Sequence, residues 1–93
     1  MPRFVYGRVR ETQRTAIYAI RVQGDAVDPI EADNIAERMR EKMLARGESA
    51  TEVVVVCGDS KETLRLYGTP YAMTRVRTAM FNAAIGWQPI ELD

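Results

Sequence analysis

Residues 4–10, FVYGRVR, alternate as a half-buried strand does, with Val5, Gly7 and Val9 on one face and Phe4, Tyr6, Arg8 and Arg10 on the other. A polar break at 11–14 precedes a second run, 15–23. There Ala16, Tyr18, Ile20 and Val22 share one face, and Thr15, Ile17, Ala19, Arg21 and Gln23 the other. Two such runs joined by a short polar connection predict a hairpin.

The period then changes. In DPIEADNIAERMREKMLARG, the residues Ala32, Ile35, Ala36, Met39 and Met43 fall on one helical stripe. Asp28 suits the N-cap, Pro29 the first turn and Glu31 the third position of a capping box. Arg46 and Gly47 suit the end, so a helix is predicted over 29–46. GTPYAMTRVRTAMFNAAIG repeats this grammar, with Thr69 as cap, Pro70 behind it, and Met73, Val76, Met80 and Ala84 as the stripe. Gly86 is the predicted terminator.

Between the helices, residues 53–57 are four valines and a cysteine, the composition of a strand buried on both faces. Asp59 to Glu62 reads as a turn. Residues 63–67 then alternate, with Leu64 and Leu66 on one face and Arg65 and Tyr67 on the other. A short helix opened by Asp59 and Glu62 is the competing reading. The segment WQPIEL reads as extended, and Pro89 confines it to an edge strand or a docked tail. The expected architecture is α+β, a two-layer sandwich of order ββαββα(β). Its sheet is mainly antiparallel with four to five strands, and both helices lie on one face.

Ninety-three residues make one domain, 1–93, with room for one modest core. No apolar run approaches the ~20 residues of a membrane span. Arg3, Arg8 and Arg10 interrupt the start before any leader-like stretch forms, so a cytoplasmic protein is expected. Net charge is zero but unevenly placed: residues 1–24 carry five arginines and one acid, and residues 25–52 carry eight acids and four bases. Of the 13 bases, 11 are arginine, which favours planar and stacked contacts.

The absence of histidine removes Ser-His-Asp and Cys-His catalysis and histidine-ligated metal sites. With one cysteine, neither an internal disulfide nor the usual zinc sites can form. Cys57 and Ser60 have the spacing of a monothiol redox motif, but a cysteine ending a buried strand is ordinarily a core residue. Met1-Pro2 offers an N-terminal proline base without the strand–helix–strand order that such enzymes use. Asp25, Asp28, Glu31 and Asp33 cluster, yet capping and the helix dipole account for them without a metal. No phosphate-binding glycine loop is present. A non-enzymatic protein without a cofactor is expected.

With both helices on one face, alternation leaves Phe4, Tyr6, Arg8, Arg10, Ile17, Arg21, Arg65 and Tyr67 on an open sheet face. Such a surface is too apolar to stay bare, although Trp87 could fold back over part of it. Aromatics with arginine and little lysine are the composition of protein interfaces. The expected partner is a second copy of the chain or another protein. Single-stranded RNA or DNA is the alternative, since aromatic sheets stack bases. Against it stand zero net charge and a pI near 6.3.

Overall fold

The computed structural model describes residues 4–11, 15–22, 28–48, 51–58, 60 and 62–90. The Met1-Pro2 start, the connection at 12–14, Gln23, Asp25, Asp59 and Lys61 lie outside the described residues. The order is β1 (Phe4–Glu11), β2 (Ala16–Val22), α1 (Pro29–Ala45), β3 (Thr51–Cys57), β4 (Arg65–Tyr67), α2 (Pro70–Phe81) and β5 (Gln88–Ile90). The α+β class, the five strands and both helices are therefore as read from the sequence.

The five strands form one mixed sheet in the order β4-β3-β2-β1-β5. Three of the pairings are antiparallel, β1–β2, β1–β5 and β3–β4. The second hairpin joins the first through a parallel pair, not an antiparallel one. β2 and β3 run parallel, with Ala16 opposite Thr51, and α1 is the crossover that parallel neighbours require. β5 is an edge strand, and Pro89 sits opposite Val5.

The predicted two-layer arrangement, with both helices on one face, is replaced by three layers. On β2 and β3, Tyr18, Ile20, Val53, Val55 and Cys57 pack with Ile35, Met39 and Met43 of α1. Their alternates Ile17, Ala19, Val54 and Val56 pack with Ala72 and Val76 of α2. Alternating positions of one strand point to opposite faces, so the helices lie on opposite sides of the sheet. The cause is local. After β4 the chain crosses the sheet edge at Gly68, where a Cβ would stand 3.0 Å from Val54 Cγ2 and 3.3 Å from the Val53 carbonyl oxygen. A side chain there would push the crossing away from the edge. Trp87 also packs on the α2 side, with Ile85.

Both N-caps form as their sequences predict. Asp28 accepts from Glu31 N at 2.8 Å, and Thr69 from Ala72 N at 3.2 Å. α1 ends in a Schellman motif, with Gly47 N donating to Leu44 O at 3.0 Å and Glu48 N to Met43 O at 3.3 Å. Gly47 takes the left-handed conformation at φ +95°. α2 ends earlier than Gly86, at Phe81, with the same hydrogen bonds: Ala83 N to Met80 O at 3.1 Å and Ala84 N to Ala79 O at 2.8 Å. Turning there lets Ile85 reach back over Gly7 of β1.

The left-handed residue of that cap is Ala83, at φ 52°. Its Cβ strains a conformation that glycine adopts freely, at a cost of roughly 1–2 kcal/mol. Ala83 is exposed and no packing is at stake. Ala83→Gly is expected to stabilise the fold by about 0.5–1 kcal/mol, after the added entropy of the unfolded chain is deducted. An unchanged or lower urea midpoint would contradict this account of the α2 terminus.

Candidate functional site

The three-layer arrangement divides the predicted binding residues among three places. Phe4, Tyr6 and Arg8 lie on the α1 side of β1, opposite Val22, Ile20 and Tyr18. Arg65 and Tyr67 share that side but sit on β4, opposite Cys57 and Val55, at the far end of the sheet. Arg10, Ile17 and Arg21 belong to the α2 side, where Ile17 is only 2% exposed. A β-bulge between Arg8 and Arg10 moves Arg10 across: it pairs with Ile17, whereas Arg8 pairs with Tyr18. Strict alternation would have kept the two arginines together.

The α1-side group on β1 is the more organised. α1 lies over β3 and the β4 edge, and its inward methionines and Ile35 reach β2. Beyond that line, Phe4 and Tyr6 pack against the core while remaining half out of water. The Tyr6 ring lies 6.1 Å from that of Tyr18, tilted by 52°. Its hydroxyl donates to Gln88 Oε1 at 3.1 Å, tying β1 to the edge strand β5. Tyr18 is itself buried.

Arg8 is anchored from three sides. Its Nη2 donates to the Tyr18 hydroxyl at 2.7 Å and pairs with Glu48 Oε1 at 3.0 Å, and its Cζ stands 5.3 Å from the centre of the Tyr18 ring. The Tyr18 hydroxyl donates to the same Glu48 oxygen at 2.8 Å. Burial raises the Tyr18 pKa first, and the hydrogen bond to Glu48 adds to it; Arg8 opposes both. The phenol therefore stays protonated at neutral pH and serves as a donor. Glu48 follows the Schellman turn of α1, so the helix end positions the carboxylate that holds a strand arginine.

The chain matches no protein-family model, no curated protein and no solved structure. Function has to be read from this geometry and from the sequence. Cys57 is fully buried at the end of β3, packed on the α1 side. Among the described residues, no group of three or more Cys, Asp or Glu side chains is placed to hold a metal, and no helix is long and apolar enough to cross a membrane.

The surface that sequence reasoning missed is on α2. Tyr71 and Phe81 are 53% and 55% exposed, and Arg10 reaches Tyr71 from β1. A sequence signal existed: the YAMTRVRTAMF stretch carries two arginines and no acid.

Proposed function

We propose that the chain is a non-enzymatic protein-interaction domain that pairs with a second copy of itself through the β1 side of the sheet. The observation that supports it is the run Phe4, Tyr6 and Arg8 on one face of β1, half out of water or exposed, beyond the cover of α1. Arg8 is held in place by Tyr18 and Glu48, so little side-chain entropy is lost when a partner meets it. The patch contains both a guanidinium and a carboxylate. A twofold axis can set Arg8 of one copy beside Glu48 of the other, the self-complementarity that an isologous dimer requires. The non-enzymatic reading rests on the sequence, which has no histidine and a single cysteine.

Base stacking fits this patch less well. The Tyr6 ring packs against Tyr18, the Tyr18 ring is buried, and Glu48 beside Arg8 repels phosphate. Light scattering over a concentration series tests the proposal. The parent is expected at twice the chain mass. Tyr6→Ala is expected to weaken association by about 2 kcal/mol, roughly thirtyfold. Arg65→Ala, exposed on the far strand, leaves it unchanged. A parent that stays monomeric at high micromolar concentration sinks the dimer. Salt-sensitive binding to single-stranded RNA, lost in Tyr6→Ala, would put nucleic acid in its place.

A further inference from the structure

On the other side of the sheet, one tyrosine organises two arginines. Arg10 Nη1 donates to the Tyr71 hydroxyl at 3.1 Å. Arg75 Cζ lies 5.5 Å from the centre of the Tyr71 ring. Arg10 and Arg75 line one groove of about 450 Å³ between β1 and α2, with Val9, Thr78 and Ala79. Among the described residues, neither guanidinium has a carboxylate within ion-pair distance. Beside the groove, accepting from Arg10 leaves the Tyr71 hydroxyl its own proton to donate, and Thr78 is part of the groove's lining. The bulge at Val9 is what brings Arg10 here.

We propose that this groove is a binding site for a small molecule carrying a carboxylate or phosphate group. Guanidinium forks match such oxyanions bidentately. Two guanidiniums that meet at one tyrosine, with no carboxylate among the described residues to offset them, favour the addition of an anion. In the groove between α1 and the β3–β4 edge the situation differs: Arg40 already pairs with Glu37 and donates to the Thr51 carbonyl at 3.3 Å. The ligand is small because the cations do not continue. Arg77, two residues beyond Arg75, lies about 200° around the helix and cannot extend the row. Two phosphate contacts would give a polyanion only weak, salt-labile binding. The site stands whether or not the chain dimerises, because the proposed pairing uses the opposite face.

Calorimetric titration at low ionic strength with inorganic phosphate and with succinate, against chloride at equal ionic strength, tests it. Saturable binding of at least one is expected, and the tighter of the two identifies the oxyanion. Arg75→Gln and Arg10→Gln should each weaken it by about tenfold or more, since charged hydrogen bonds are lost. Tyr71→Phe keeps the ring and removes the hydroxyl, so it should weaken binding less than either arginine variant. Arg77→Gln, which removes the same charge from the other flank, should leave it unchanged. Circular dichroism confirms that each variant is folded. The absence of saturable binding beyond chloride, or an equal loss in Arg77→Gln, overturns the site.

Discussion

Gly58→Ala is expected to cost about 3 kcal/mol or more, a large share of the 5–15 kcal/mol that holds a domain of this size together. Two penalties combine. Gly58 sits at φ +102°, where an L side chain is strained by about 1–3 kcal/mol. Its Cβ would also lie 2.3 Å from the Thr63 carbonyl oxygen, 2.6 Å from its carbon and 3.0 Å from Leu64 Cα. All three are backbone atoms, and they cannot retreat freely. Thr63 N is bonded to Ser60 O at 3.2 Å, Ser60 N to Thr63 Oγ1 at 3.1 Å, and Arg65 pairs with Cys57 just beyond. Gly47→Ala separates the penalties: φ is +95° there, but a Cβ would meet nothing within 4 Å. It should cost only the backbone strain. Equal urea midpoints for the two variants would show that the β3–β4 turn is looser than described.

The periodicities carried most of the fold into the sequence. Caps at Asp28 and Thr69, the terminator at Gly47 and the edge position of Pro89 are short-range chemistry, legible from a few neighbours. Layer order is not short-range, yet a signal for it was present. Val53 to Val56 offer four consecutive apolar side chains, and β2 runs Ala-Ile-Tyr-Ala-Ile. Strands apolar on both faces need cover on both faces. A two-layer reading leaves Ile17, Ala19, Val54 and Val56 against water. Placing one helix on each side satisfies both strands, and a parallel β2–β3 pair with α1 as crossover then follows.

The candidate site was less legible, for two physical reasons. Alternation assigns faces correctly only while a strand is regular. It held from Phe4 to Arg8 and failed at the bulge, and nothing in the string GRVRE marks that irregularity. Sharing a face is also not the same as being adjacent. Tyr67 and Arg65 share a side with Tyr6, but β3, β2 and α1 stand between them. Glu48 joined Arg8 only through the end of a helix 40 residues away in sequence, which no local pattern encodes.

The layer order itself can be tested with one substitution. Ile17 is 2% exposed beneath α2, packed with Ala72 and Val76. Truncating a buried isoleucine to alanine costs about 2–5 kcal/mol. Ile17→Asp removes the same apolar contacts and also places a carboxyl in a buried layer, between Arg10 of β1 and Glu52 of β3. Its cross-strand partners Arg10 and Glu52 act on its charge in opposite senses, and the rest of that face, with Ala19, Val54, Val56, Ala72 and Val76, is apolar, so burial decides. The buried group resists ionisation, so its folded pKa would rise above the unfolded value near 3.9. The damage is then smallest below that value and grows as the pH climbs through it, because the unfolded chain ionises freely and the folded one does not. At pH 7, Ile17→Asp is expected to be largely unfolded by circular dichroism, and Ile17→Ala folded but weakened. Ile30→Asp, at a position 75% exposed on α1, should fall within about 0.5 kcal/mol of the parent. If both helices shared the other face, Ile17 would be a surface residue of an open sheet, and aspartate there would be tolerated as readily as at Ile30. A folded, cooperative Ile17→Asp at neutral pH would therefore remove α2 from the face on which Arg10 and Arg75 meet, and the groove between them with it.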